Sequence, residues 1–422
     1  MDAARRLRRD ALAAWRLGLD AVDPGALVRR SLERSALDPE AKFLALATGK
    51  AAASMAAALG PIDRGLAIVC DDEPEPALAD GWEVLRGGHP VPTREGLGAS
   101  LRVLEEVEAL GAGEVLVYLL SGGSSSLFEV PCAGLKEDEI ISSYRSLLGC
   151  GAGIQEVNTL RTACSRLKGG GLTRAARPAS VVTLALSDVP GDDPAVIGSG
   201  PTAETIGQEE PVAELIERLQ LGQRLPPAVV AVLEEKRPQR VAAPLPGDRF
   251  EVLAGGQDAA RAAATGLRHR GYEVGICAKL LSGDVLKAAG RMARHIRALK
   301  ARPGLHALVA AGETAVTLGE RWGEGGRCSH LAAAVALELQ DVDGFALVAA
   351  GSDGRDGNSR AAGAVVDGGS AARAQAAGRP VGGALKAFDT AAAIREAGDI
   401  VETGATGTNV GDLVVATVEA GA

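Results

Sequence analysis

A chain of 422 residues, 46% hydrophobic but only 3% aromatic, has room for about two or three domains and must build their cores from Ala, Val and Leu. Its formal net charge of -9 disfavours a nucleic-acid or anionic-membrane partner, since both want a basic face, yet leaves room for an acidic small molecule met by a few local Lys or Arg. None of the six cysteines forms a C-x-x-C pair, which signals neither zinc nor a disulfide framework and suggests a reducing, cytoplasmic setting; no apolar run is long enough to span a bilayer, and no secretory leader is expected.

Residues 1–35 read as helical, with Leu7, Ala11, Trp15, Leu19 and Val22 at near-helical spacing and arginines opposite. Phe43–Ala47 is a predicted strand that runs into Thr48-Gly49-Lys50 and an alanine-rich helix. This resembles a phosphate loop without being one: Leu44 stands where its first Gly belongs, and Ala51 replaces the Ser/Thr. Lys50 is therefore a cation at a helix start, a place that binds anions and suits a structural lysine poorly. Leu66–Cys70 is the next strand, followed by the rigid turn Gly87-Gly88-His89-Pro90-Val91-Pro92 and a helix carrying Leu97, Leu101, Leu104 and Val107.

Glu114–Tyr118 opens an almost unbroken apolar run, the mark of a strand buried on both faces. It ends in Ser121-Gly122-Gly123-Ser124-Ser125-Ser126, whose amides and hydroxyls can form an anion site at a strand's carboxyl end. The plainer reading is a solvated Gly/Ser turn. Residues 136–177 are mostly helical and hold Asn158, Arg161 and Lys168. Ser180–Leu186 is a further strand, ending in Ser187-Asp188-Val189-Pro190-Gly191-Asp192-Asp193; such carboxylates either hold a hard cation or cap turns. The alternation reads as doubly wound α/β.

The Pro-rich stretch 237–247 marks a linker, which places the domain boundary between residues 240 and 241. Beyond it, strands are expected near 250–254, 273–277, 305–311, 345–350, 363–366 and 413–418, with helices near 257–270, 284–299, 329–340 and 384–397. Glu313 follows a strand. Gly325-Gly326-Arg327 precedes a helix and could face one anion. Asp353 and Asp356 lie in a loop after a strand, and Asn409 lies in a glycine-rich loop near 403–412.

No G-x-G-x-x-G with a downstream acid, no H-E-x-x-H and no G-x-S-x-G occurs. Phosphoryl transfer fits the inventory better: it needs donors around phosphate, cations against the transferred charge and carboxylates for Mg²⁺.

Taken together, Thr48-Gly49-Lys50-Ala51-Ala52, Gly88-His89-Pro90-Val91-Pro92, Leu120-Ser121-Gly122-Gly123-Ser124, Asn158, Arg161, Lys168-Gly169-Gly170, Leu186–Asp192 and Gly198-Ser199-Gly200-Pro201-Thr202 resemble the D-glycerate 2-kinases, whose C-terminal half is called MOFRL. Gly312-Glu313-Thr314, Gly325-Gly326-Arg327, Asp353-Gly354-Arg355-Asp356-Gly357 and Thr406-Gly407-Thr408-Asn409-Val410 continue the likeness. The chain departs from the family at Cys328-Ser329-His330, at Thr162-Ala163 and at Gly171.

The resemblance implies two doubly wound α/β/α sandwich domains, 1–240 and 241–422, with a cleft between them; the first would be Rossmann-like with a mainly parallel sheet. It implies ATP- and Mg²⁺-dependent phosphorylation of the 2-hydroxyl of D-glycerate or a related small hydroxy acid. Lys50 and Arg327 would neutralise the substrate carboxylate or the moving phosphoryl group, and Ser121, Gly122, Gly123 and Ser124 would donate to an anion. His89, Asn158, Arg161, Lys168, Glu313, Gly325, Gly326 and Asn409 would line the substrate and nucleotide sites. Asp188 and Asp192, with Asp353 and Asp356, would hold Mg²⁺ or draw the substrate proton. A homodimer is left open. The rival readings are a paralogue that binds without turnover, an NAD(P)-dependent hydroxypyruvate reductase, and thiol chemistry at Cys328.

Overall fold

The apolar runs become strands covered on both sides. The structure, a computed structural model, describes residues 3–35, 37–38, 40–148, 154–203, 212–235, 242–277, 279–318 and 322–420. The chain divides into an N-proximal unit of residues 24–187 and 191–253 and a C-proximal unit of residues 1–23, 188–190 and 254–422. The boundary expected between 240 and 241 lies outside the described residues. The opening helix, expected in the first domain, groups with the C-proximal unit.

That helix is α1 (Ala3–Asp20). The N-proximal unit follows as α2 (Pro24–Arg34), β1 (Phe43–Thr48), α3 (Ala52–Ala57), β2 (Gly65–Cys70), β3 (Trp82–Gly87), α4 (Arg94–Glu108), β4 (Val115–Leu120), α5 (Ser124–Leu127), α6 (Glu137–Leu148), α7 (Ile154–Ala163), α8 (Gly171–Ala176), β5 (Ser180–Ser187), α9 (Val212–Arg218), α10 (Pro227–Glu234) and β6 (Arg249–Gly255). Its sheet runs β3-β2-β1-β4-β5-β6, with β3 through β5 all parallel. The order reverses between β1 and β4, the switch point where open α/β sheets take ligands. Thr48 lies opposite Leu120, so the carboxyl ends of β1 and β4 are level and the loops after them share one edge. Strand β3 carries no clear sequence signal: Glu83 and Arg86 interrupt its apolar pattern, and it is half-buried at the sheet's margin.

The C-proximal unit adds α11 (Gly256–Arg268), β7 (Glu273–Ile276), α12 (Val285–Lys300), β8 (Gly304–Gly312), α13 (Arg327–Glu338), β9 (Phe345–Gly351), β10 (Gly363–Asp367), α14 (Ser370–Ala376), α15 (Val381–Ala387), α16 (Thr390–Glu396), β11 (Ile400–Val401) and β12 (Asp412–Ala420). Here the sheet order is β11-β10-β9-β12-β8-β7, and only β7 and β8 pair in parallel. Strand β12 inserts antiparallel between β8 and β9. Its side chains alternate as a doubly covered strand requires. Thr417 faces α1, where its hydroxyl donates to the Leu7 carbonyl at 3.0 Å, while Val414, Ala416 and Val418 join the core under α12 and α13.

The single helix expected near 384–397 is two, α15 and α16. Phe388 breaks it with a φ of 50° and stacks on His330 at 5.3 Å. Among the described residues, no helix is long and apolar enough to cross a membrane.

Candidate active site

Each unit gathers its own share of the expected residues at one end of its sheet. In the N-proximal unit the loops after β1 and β4 are sewn together. The Lys50 N–H donates to the Gly122 carbonyl at 2.9 Å, and the Ser121 N–H donates to the Thr48 carbonyl at 3.0 Å. The Ser121 hydroxyl donates to the same Thr48 carbonyl at 3.1 Å and accepts from the Ala51 N–H at 3.0 Å. Only a glycine fits at position 49, because a β-carbon there would lie 2.3 Å from Ser121 Oγ. Beneath the loop, Thr48 Oγ1 meets Tyr118 Oη at 2.8 Å and Ser124 Oγ at 2.6 Å, a buried hydroxyl triangle. Burial pushes the Tyr118 phenol up to about 12, so it stays a neutral hydrogen-bonder.

What this sewing leaves over is chemically useful. Among the described residues, the amides of Gly122 and Gly123 have no hydrogen-bond partner. Gly123 turns at a φ of 86°, and a β-carbon on it would lie 3.2 Å from Lys50 Cγ and 3.2 Å from His89 Cδ2. Lys50, His89 and two unpaired amides thus meet at the switch point. Unpaired N–H groups beside an ammonium form a site for a phosphate or carboxylate oxygen.

Asn158 and Arg161 reach the same turn. Asn158 Oδ1 accepts from the Ser199 hydroxyl at 2.9 Å, Ser199 Oγ meets Ser125 Oγ at 2.8 Å, and Arg161 Nη1 lies 3.4 Å from Ser125 Oγ. Ser199 holds a left-handed φ of 65° between two glycines, a costly conformation for a residue with a β-carbon. Lys168, expected to touch ligand, is fully buried and paired with buried Glu129. Burial pulls its ammonium down while Glu129 holds it up. It supports the site from beneath.

In the C-proximal unit, Asp412 at the start of β12 lies opposite Gly312 and Gly351, the ends of β8 and β9. Arg327, the first residue of α13, reaches into this corner. Its Nε donates to Asp412 Oδ2 at 2.5 Å and its Nη2 to Glu313 Oε1 at 2.5 Å. Burial works against the charge, but Asp412 and Glu313 more than offset it and hold the guanidinium charged. Asn409 Nδ2 donates to Asp188 Oδ2 at 3.2 Å.

Asp356 is a correction. Its buried carboxylate accepts from the amides of Gly326 at 3.1 Å, Cys328 at 2.8 Å and Ser329 at 2.8 Å. The anion expected at Gly325-Gly326 is this internal one: Asp356 caps α13, and both of its carboxylate oxygens are committed to amides of that helix start. The departures at Cys328, Ser329 and His330 are all buried in the first turn of that helix. Burial and Asp412 push the Cys328 thiol well up, which leaves it unreactive.

Asp188 accepts from Asn409, and Asp353 accepts from the Arg355 N–H at 3.0 Å. Asp192 is half-buried at a φ of 54°. Among the described residues, no three His, Cys, Asp or Glu side chains gather into a metal cage. A Mg²⁺ held through one or two carboxylates, with phosphate and water completing its shell, would need no such cage.

Sequence reasoning passed over Glu129, Tyr144 and Asp412 and gave Ser125 and Ser199 no role of their own. An acid inside the apolar run Leu127-Phe128-Glu129-Val130 and a serine between two glycines were the available signals.

A switch-point amide cradle beside a lysine, on one of two α/β units, defines an enzyme that handles phosphorylated small molecules. The "Domain of unknown function (DUF4147)" family matches residues 10–234, and the MOFRL family matches residues 306–412. The D-glycerate 2-kinase of Thermotoga maritima is 33% identical over 97% of this chain and 98% of its own. A protein of Agrobacterium vitis called a putative hydroxypyruvate reductase is 36% identical over 89% of this chain and 87% of its own. The crystal structure of the Thermotoga maritima glycerate kinase superposes with a TM-score of 0.83 at 32% identity, covering 98% of this chain and 100% of that one. This chain belongs to the MOFRL family of glycerate 2-kinases.

Proposed function

We propose that the protein transfers the terminal phosphoryl group of ATP to the 2-hydroxyl of D-glycerate, giving 2-phosphoglycerate and ADP. The observation that carries this reading is the pair of unpartnered amides at Gly122 and Gly123 beside Lys50. Phosphoryl transfer asks little covalent chemistry of a protein. It asks for fixed donors and cations where charge develops on the phosphoryl oxygens. In this reading the two amides and Lys50 bind the transferring group, and His89 hydrogen-bonds substrate. The planar fork of Arg327, aimed by Asp412, takes a carboxylate or phosphate. Asp188 draws the hydroxyl proton. Asp188 and Asp353 are the carboxylates that would hold Mg²⁺, which supplies neutralisation of the nucleotide phosphates when bound.

Purified protein supplied with ATP, Mg²⁺ and D-glycerate should release ADP in step with 2-phosphoglycerate. Lys50→Ala and Arg327→Ala should each lower kcat/KM by about 100-fold or more, the scale of losing one transition-state donor. Arg327→Lys should not restore it, because an ammonium cannot reproduce the fork. Wild-type rates in both alanine variants would refute these roles. Consumption of NAD(P)H with hydroxypyruvate would support the reductase reading instead, which the missing dinucleotide fingerprint disfavours.

A further inference from the structure

The turn at Ser124–Leu127 sits on more buried polar machinery than a phosphate loop needs. Glu129 is 1% exposed and Lys168 0%, and they pair with each other. The buried Tyr144 on α6 brings its hydroxyl 2.6 Å from Glu129 Oε2 and 2.9 Å from the Ser125 carbonyl oxygen, sharing its hydrogen between them. Arg161 on α7 lies over the Tyr144 ring, 4.5 Å from its centre. Ser125 is thus gripped at its carbonyl by Tyr144 and at its hydroxyl by Ser199 and Arg161.

An ion pair this deep is a poor source of stability, because the loss of hydration cancels most of the attraction. Here the cost is higher still. Among the described residues, Glu129 Oε1 has no hydrogen-bond partner, and a half-satisfied buried carboxylate is unfavourable. What the pair does provide is a rigid acceptor that seats one tyrosine hydroxyl against one loop carbonyl. Ser125 follows directly after the Gly122–Ser124 segment, so fixing its peptide fixes the direction of the two unpaired amides.

We propose that Tyr144, seated by Glu129 and Lys168, is a positioning residue for phosphoryl transfer, holding the Ser125 carbonyl and through it the Gly122 and Gly123 amides. The proposal rests on the phosphoryl-transfer reading above. It moves Lys168 from ligand contact to support.

Tyr144→Phe removes the hydroxyl and keeps the ring under Arg161. Its kcat should fall about tenfold or more with KM little changed, the pattern for an interaction made mainly in the transition state. Amide hydrogen exchange, read by mass spectrometry, should rise in the peptide spanning residues 119–128 and stay unchanged elsewhere in the N-proximal unit. A Glu129→Gln, Lys168→Met double variant removes both buried charges and keeps an acceptor for Tyr144, so it should lose less kcat than Tyr144→Phe. A Tyr144→Phe protein with kcat within about twofold of wild type and unaltered exchange overturns the proposal. So does exchange that rises throughout the unit, which marks a structural tyrosine, or a double variant that loses more than Tyr144→Phe. The exchange measurement needs no substrate. A wild-type protein inert toward D-glycerate would sink the substrate assignment and leave the exchange test of Tyr144 intact.

Discussion

Gly123 shows how one missing β-carbon shapes a site. The left-handed turn there costs other residues about 1–2 kcal/mol, and the space beside it is already filled by Lys50 and His89. Gly123→Ala should therefore be destabilising by about that amount and should lower kcat/KM more than its stability change explains, since the added methyl displaces the two side chains proposed above to meet the ligand. Arg327 carries the complementary lesson. It is held by two carboxylates, and Glu313, the more exposed, occupies one end of its fork. Glu313→Gln removes one charge from that grip. The variant should bind an anionic substrate more tightly at low ionic strength, read as a lower KM for D-glycerate, with Asp412 still aiming the guanidinium. Residues of one type parted ways for reasons no sequence window contains. Lys50 and Lys168 both adjoin glycines, but one stands at a strand end and the other lies against Glu129. Asp353 and Asp356 are three apart, and only the second reaches the start of α13.

At the scale of elements, Asp356 acts on α13 as a side-chain cap supplied by a distant loop. Removing it strips acceptors from three amides at once. Asp356→Ala should cost about 1–3 kcal/mol, the desolvation of orphaned buried donors, and should disturb Arg327, the residue that opens this helix. Urea denaturation would measure the first effect and the KM for D-glycerate the second. The strands with continuous apolar runs, β1, β2, β4, β5, β8 and β9, were legible from sequence because burial on both faces demands such runs. Strand β3 was not, since an edge strand may carry charge and gives no clean period. The antiparallel course of β12 was equally hidden: its composition matches that of a parallel core strand, and direction is set by connectivity. Helices α15 and α16 read as one because Phe388 is an unusual residue to adopt a left-handed break, and the ring's contact with His330 is a tertiary fact.

At the scale of the molecule, the two units were legible as α/β from alternation alone, but not their membership. Helix α1 lies against α11 and across β9 and β12. Trp15 Nε1 donates to the Ala350 carbonyl at 3.4 Å, and Arg8 donates to Asp367 at 2.7 Å and to Asp399 at 2.8 Å. Nothing local to residues 3–20 announces a partner so remote in sequence. The clasp also predicts an acid response. Burial works against charge on Asp367, but Arg373 and Arg8 outweigh it and hold the carboxyl below its ordinary value. Its contribution is therefore complete above the unfolded value near ~4 and is lost as pH falls through the lower folded one. Denaturant midpoints of wild type and Asp367→Asn should differ at neutral pH and converge as the solution is acidified below ~4. A constant gap would contradict the assignment.

The hydroxyl of Thr417 and the carbonyl of Leu7 are 410 residues apart in the chain. At roughly 5–20 residues per second, a ribosome needs on the order of tens of seconds to supply β12 after α1 has emerged. The stripe of Leu7, Ala11 and Trp15 has no dock until α11 emerges, by which point the whole N-proximal sheet can already close, and the dock stays incomplete until β9 and β12 follow. The newborn chain therefore carries a sticky amphipathic arm past a finished neighbour, a natural substrate for holdase chaperones, and its assembly order runs opposite to its reading order.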